Sequence, residues 1–324
     1  MLILSILCLI LFILNMNCFL NSIRNENPLL DDIGNKIMNY VNENEIPLVL
    51  TDKIIGNQAG SMSSTYNGYL KINNQTKISV IIKYSSFKTI WNYVHATDIN
   101  RLYENGCYSN VNENTNQYLI VKQDKNRIIS ENWIPSEVYV AFKGYFCQNL
   151  MATSAIAYPK YSYLSFFKSI EQIDDERTFV IVFKKLENGI SLKTYLEQYS
   201  NKLTNEIVKY LIYSILVGII KLKNMSIIHL DLNSGNIFLM NNDNQHPIRF
   251  IDFGIMKFIH KSSQLNVMYS ENLHQSFRNV FRNCPSCFHN NYLMNNLIFP
   301  QQFHQSFKNY SIEQLLNHSW FYNN

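Results

Sequence analysis

The run His229-Leu230-Asp231-Leu232-Asn233-Ser234-Gly235-Asn236, followed by Arg249-Phe250-Ile251-Asp252-Phe253-Gly254, restricts what this chain can fold into more than any other segment. It sets H-x-D-L-x-x-x-N a short distance before D-F-G. Phosphoryl transfer needs residues of these types. One carboxylate must orient an acceptor hydroxyl and accept its proton, while an amide oxygen and a second carboxylate hold magnesium against a triphosphate. Asp231 fits the first role, Asn236 and Asp252 the second. The gap between the motifs suits the backbone that must carry them. Residues 237–240 are a short apolar strand, 241–244 have turn chemistry and 248–251 form a second strand, so a hairpin returns Asp252 beside Asn236 and turns both ligands to one cleft.

At 324 residues the chain is long enough for one bilobal domain or two small ones behind an N-terminal leader. Its net charge of +4 is weak, and its basic residues gather into no stripe, so neither a nucleic-acid nor an anionic-membrane partner has an electrostatic footprint. Residues 1–20 are hydrophobic, with an uncharged core at 2–14. That core has the length of a signal-peptide h-region, but no basic side chain precedes it and no small-x-small cleavage site follows. Signal peptide and uncleaved anchor both stay open, and either one directs the chain to the secretory pathway, secreted or anchored there by this segment alone. Beyond the leader, Cys107, Cys147, Cys284 and Cys287 permit disulfides without specifying any. Cys284-Pro285-Ser286-Cys287 with His289 is half a zinc site. Free or unpaired thiols are the simpler expectation, because a structural zinc takes four protein ligands.

Upstream of the motifs, 48–55 reads as a strand that ends in Gly56-Asn57-Gln58-Ala59-Gly60-Ser61-Met62-Ser63-Ser64, and a second strand starts at Tyr69. The turn can lay backbone N–H groups from Gly56 and Gly60 over phosphates, and it equally reads as an ordinary hairpin turn, since it departs from G-x-G-x-x-G. Residues 77–84 form a third strand with Lys83 near its end, in the pattern V-A-I-K, where a lysine reaches the α and β phosphates of ATP. Its expected counter-ion is Glu137, at the start of a helix over 136–143, with Glu131 as the competing choice. Residues 85–130 are then an insertion. A buried strand at 179–183 leads into Lys184–Gly189, where the backbone around Lys185 and Leu186 is placed to hydrogen-bond adenine behind a gatekeeper Phe183. Leu192, Tyr195, Leu196 and Tyr199 share one helical face. Thr204 caps a long helix that carries Ile207, Leu211, Ile215 and Ile219 and delivers the chain to Asp231.

These segments resemble the FIKK-type protein kinases, a divergent family of apicomplexan parasites. The resemblance is carried by Gly60–Ser64 in place of the glycine loop and by Ile81-Ile82-Lys83-Tyr84 with Trp91 downstream, where the family has Phe-Ile-Lys-Lys and a tryptophan. It is carried further by Glu131-Asn132 leading to Val138 and Phe142, and by His229-Leu230-Asp231-Leu232. It spans residues 48–258 and returns at 310–321, which is similar to the terminal helix of many protein kinases. It implies an α+β, bilobal fold with a β-rich N-lobe over 47–186 and a mainly helical, truncated C-lobe over 187–324. Residues 1–20 are then the leader, 21–46 a linker and 254–310 a divergent, shortened stretch. The chain departs from the pattern at Tyr84, at Leu230 where most protein kinases have arginine, and at Asn233 where serine/threonine kinases often place a phosphate-contacting lysine. It also has no Ala-Pro-Glu between Gly254 and Tyr310. The expected activity is that of an ATP- and Mg2+-dependent serine/threonine kinase acting on a protein substrate. A pseudokinase or nucleotide-binding interaction module and a small-molecule phosphotransferase are the alternatives.

Overall fold

The computed structural model describes residues 30–54, 63–86, 93–95, 133–147, 152–166, 178–199, 202–241, 247–258 and 310–322. They divide into two units, Met1–Thr89 with Ala157–Lys185, and Ile90–Ile156 with Leu186–Asn324. The elements are mixed α and β, in the kinase-like arrangement of an N-terminal sheet followed by helices.

The first unit is an antiparallel sheet of β1 (Leu48–Lys53), β2 (Ser63–Lys71), β3 (Lys77–Ser86), β7 (Thr178–Lys184) and β6 (Tyr163–Phe166), in the order β1-β2-β3-β7-β6. β2 begins at Ser63 rather than at Tyr69, because its ladder with β3 already starts at the Ser63–Ser85 pair. β7 lies inside the sheet, and its two faces are both covered, which is why it reads as an unbroken apolar run. One face of the sheet, with Leu48, Leu50, Tyr66, Leu70, Val80, Ile82, Val180 and Val182, packs with Ile37 and Val41 of a helix α1 (Asp32–Glu43). Residues 32–43, expected as part of a linker, thus form a packed helix. Side chains alternate across a strand, so Lys83 points to the opposite face from Ile82, in register with Thr65 of β2 and Ile181 of β7.

Asp31 fixes the start of α1. Its carboxylate caps the helix at Gly34 N (2.9 Å), accepts from the Tyr66 hydroxyl (2.7 Å) and pairs with Lys53. Burial disfavours its charge, but the bonds from Lys53, Gly34 and Tyr66 outweigh this and hold the carboxyl below its usual range.

In the second unit β4 (Tyr93–His95) pairs with β5 (Trp133–Pro135), which runs into helix α2 (Ser136–Phe146). α2 is buried all round from Ser136 to Gly144 and therefore shows no amphipathic stripe. β8 (Gly189–Ser191), α3 (Leu192–Tyr199) and α4 (Asn205–Asn224) follow. The Thr204 hydroxyl accepts from Ile207 N at 3.4 Å, and α4 buries Val208, Leu211, Ile212, Ile215, Leu216, Ile219 and Leu222 at helical spacing. Its last turn carries Lys221 and Lys223, which suit the negative end of the helix dipole. β9 (Ile227–Ile228) pairs with β12 (Lys257–Phe258), and β10 (Ile237–Met240) lies between β8 and β11 (Ile248–Phe250). The closing helix α5 (Ile312–Leu316) has a capping box of Ser311 and Gln314. The chain from Glu313 to Phe321 runs back along α4. Glu313 bonds Lys223 at 2.8 Å near one end of α4, while Phe321 and Trp320 meet Tyr213 and Lys209 nearer the other.

Cys147, just past the end of α2, is disulfide-bonded, which corrects the expectation of free thiols for this residue. Its partner lies outside the described residues. So do Cys284, Cys287 and His289, most of the 85–130 insertion and most of 254–310. Among the described residues no helix is long and apolar enough to cross a membrane, and the hydrophobic segment 1–20 lies outside them.

Lys143 of α2 is only 5 % exposed, and its ammonium sits 5.6 Å from the centroid of the Tyr139 ring with no carboxylate partner among the described residues. Burial lowers its pKa to about 8. The unfolded chain binds the proton more tightly than the folded one, so the cost to stability is complete below pH 8 and fades as pH rises toward the ordinary value of 10.5. Lys143→Met keeps the aliphatic stem and removes the charge. It should stabilise the protein by about 2 kcal/mol at pH 7, with a smaller gain at pH 10, as read from denaturant unfolding at the two pH values.

Candidate active site

The site grows from two backbone events in the second unit. The β10–β11 hairpin pairs Ile237 with Phe250, and Ile251 N donates to Asn236 O at 3.0 Å. This sets Asp252 one residue beyond a direct backbone bond to Asn236, so the two expected metal ligands are brought together as the strand and turn pattern requires. The outer edge of β11 is held as firmly. Phe250 N donates to Ala152 O (2.8 Å) and Ser154 N to Phe250 O (2.9 Å). Gly144 of α2 lies on that same 152–154 strip, where an added Cβ would stand 2.7 Å from Ser154 O and from Thr153 Oγ1. Helix α4 approaches through Gly218, whose Cβ would meet the Phe250 ring at 2.8 Å and Ala152 Cβ at 3.5 Å. Both glycines allow helices to reach the strand that delivers Asp252.

Within the loop after β9, a short 3-10 turn at Ser234–Asn236 supports Asn236. The Asn236 amide nitrogen donates to Asp231 O (2.9 Å) and to Asp231 Oδ2 (3.0 Å), which leaves its carbonyl oxygen as the atom able to ligate a cation. Asn233 Nδ2 donates to Asp231 O and Asp231 Oδ1, both at 3.2 Å. The Asp231 carboxylate is therefore held at both oxygens by neutral amides.

His229 joins the two motifs. The residue is 2 % exposed, and its ring lies tilted against the buried Phe253, 4.6 Å between centroids, and 6.2 Å from Phe250. Nε2 is 2.8 Å from Ile251 O, and Nδ1 is 3.3 Å from Asp231 N. A carbonyl only accepts and a backbone N–H only donates, so the ring must be the neutral tautomer with its proton on Nε2. Burial lowers the His229 pKa against the opposing pull of the Ile251 carbonyl, Asp252 and Asp231. As pH falls through the ordinary value of 6.5, the unfolded chain takes the proton first. Stability is thus complete above that value and declines below it. Thermal unfolding between pH 7.5 and 5.5 should show a falling midpoint, and His229→Asn should flatten that part of the profile. An unchanged slope in the variant would assign the acid sensitivity to other groups.

Within the two motifs, Leu230 at φ 66° and Asp252 at φ 62° hold left-handed backbone. Aspartate tolerates this region, whereas leucine strains in it, and such conformations persist only where the surroundings enforce them. Asp252 is exposed. Asn236 and Asp252 together form an oxygen donor set suited to Mg2+, which binds through one or two protein oxygens together with substrate phosphates. Among the described residues no group of three His, Cys, Asp or Glu forms a metal cage of its own.

The remaining expected residues are distributed as follows. Lys83 is on β3, and the described neighbours of its face include Ile81 and Thr65. Phe183, the expected gatekeeper, is buried at the end of β7 opposite Ile81. Lys185 N donates to Ser79 O at 3.0 Å and its ammonium to Asn67 Oδ1 at 3.1 Å, so this residue's own N–H is committed to the sheet, and Leu186 follows half-buried. Glu137 lies in the first turn of α2 and is 7 % exposed. Gly56, Gly60 and Glu131 lie outside the described residues. His229 and Asn233 are not among the expected site residues. Their signal was present in the motif itself, in a histidine two residues before the aspartate and an amide two residues after it.

No curated protein matches the chain. Among solved structures, it matches the crystal structure of the BubR1 kinase domain at 16% identity and a TM-score of 0.36, over 64% of this chain and 47% of that one. A family model described as the protein kinase domain matches residues 106–277, a span that starts beyond Lys83 and contains Glu137, the His229–Asn236 loop and Asp252. With more than half of its residues matched, the chain belongs to the protein kinase domain family.

Proposed function

We propose that this chain is a protein serine/threonine kinase of the FIKK type that uses ATP and Mg2+ to phosphorylate a protein hydroxyl. The observation that carries the reading is the loop in which both oxygens of Asp231 are bonded by amides and Asn236 is tied by its backbone to the residue before Asp252. In this reading the Asp231 carboxylate accepts the hydroxyl proton as the acceptor oxygen attacks the γ-phosphorus and the bond from that phosphorus to the β,γ-bridging oxygen breaks, so that ADP leaves, while Asn236 and Asp252 would hold magnesium. Magnesium held there would supply positive charge against the charge that develops on the phosphates. Lys83 contacts the phosphates from β3, and the segment around Lys185 and Leu186 receives adenine.

The competing reading is a pseudokinase that binds nucleotide without transfer, favoured by the lack of Ala-Pro-Glu between Gly254 and Tyr310. Radiolabelled ATP supplied with magnesium and a mixed protein acceptor separates the two. Label on serine and threonine of the acceptor supports the kinase, and nucleotide binding with no labelled protein replaces it by the pseudokinase. We also place the chain in the secretory pathway, delivered by residues 1–20. The Cys147 disulfide supports this, since disulfides persist in oxidising compartments.

A further inference from the structure

We propose that Asn233 is a positioning residue that holds the Asp231 carboxylate in its working orientation and couples it to the metal-ligand turn, an inference that rests on the kinase reading. The support is the use made of both ends of one amide. Asn233 Oδ1 accepts from Gly235 N (2.9 Å) and Asn236 N (3.2 Å), which builds the turn that presents Asn236. Asn233 Nδ2 donates to Asp231 O and to Asp231 Oδ1, both at 3.2 Å. Asn236 Nδ2 completes the arrangement on Asp231 Oδ2 at 3.0 Å.

An asparagine that merely caps a turn is commonplace, and its acceptor end alone would explain that function. The donor end is the part that caps nothing. Aspartate at this position would keep the acceptor and place a second negative charge where the donor stood. Lysine would supply a donor and no acceptor for the 235–236 amides. Asparagine joins the two tasks, so the rotamer of Asp231 and the backbone of Asn236 depend on the same side chain. With its carboxylate fixed at both oxygens, Asp231 loses little freedom on reaching the geometry that proton acceptance needs.

The test compares the native protein with Asn233→Ala and Asn233→Asp in steady-state transfer, and adds Asp231→Ala and the Asn233→Ala/Asp231→Ala double variant in thermal melting. Asn233→Ala should lower kcat by about 10 to 100-fold with the KM for ATP little changed, the size seen when a supporting hydrogen bond to a functional group is removed. Asn233→Asp restores the cap acceptor, yet kcat should stay at least as low. Native kcat in either variant would overturn the positioning role, and so would a loss that appears only as a raised KM. If the native protein transfers no phosphate, the kinase reading fails by itself, and melting decides the contact. A double variant that loses less than the sum of the two single losses supports the Asn233–Asp231 coupling, and additive losses overturn it.

Discussion

For the kinase proposed above, Asp231→Asn should slow phosphoryl transfer by about 100 to 10,000-fold and leave nucleotide binding within a small factor of the native value, because in that reading the carboxylate serves the acceptor hydroxyl and not ATP. The local geometry argues for the upper part of that range. Asn233 and Asn236 each aim an amide donor at a different oxygen of Asp231. An asparagine there can face only one of them with its own oxygen, so the other donor meets an NH2 group and one of the two supports is lost. Transfer measured under single-turnover conditions, beside equilibrium binding of ATP with magnesium, separates chemistry from affinity. Equal transfer rates in the two proteins would show that another base is used or that the native chain is inert.

In the same reading, removal of the Asp252 carboxylate should have the second large effect, about 1,000-fold or more in magnesium-dependent turnover, since a metal ion contributes several kcal/mol of charge stabilisation to such a reaction. The choice of variant matters. Asp252 has φ 62°, and alanine at this position would combine the loss of the ligand with backbone strain of about 1 kcal/mol. Glycine adopts the conformation freely and asparagine tolerates it, so Asp252→Gly and Asp252→Asn remove the charge with the backbone left in place. Titration of activity against magnesium concentration is the measurement. A native magnesium dependence in both variants would remove Asp252 from the metal site.

Some strands were legible because their cause is local, whereas β4, β5, β6, β8, β9 and β12 are too short to show in the sequence pattern on their own. β3, β7, β10 and β11 are short apolar runs between turn residues, and alternation alone is enough to place Lys83 on the other face from Ile82. The hairpin that joins Asn236 to Asp252 was legible for the same reason. Helix α1 was passed over because asparagine-rich sequence has poor helix propensity, and the helix is stabilised by partners far along the chain. Tyr66 and Lys53 bind its cap, and Leu50, Leu70 and Ile82 help form the cluster that receives its apolar side. Lys143 likewise reads as an ordinary surface cation until the fold buries it. The roles of His229 and Asn233 were hidden for a different reason. Each bonds backbone groups whose positions exist only once the loop has closed, and the tautomer of His229 follows from Ile251, well separated in sequence.

Helix α1 also sets where this sheet can be cut from the rest of the protein. A version of the chain begun at Leu48 would retain every strand and lose Ile37 and Val41, the Asp31 carboxylate and the partners of Leu48, Leu50, Tyr66 and Leu70. A broad apolar surface would then face water on a twisted sheet, the kind of patch through which chains adhere to one another. The smallest soluble form of this unit therefore starts no later than Leu30, so the segment ahead of the first strand is structural material of the domain and not a spacer.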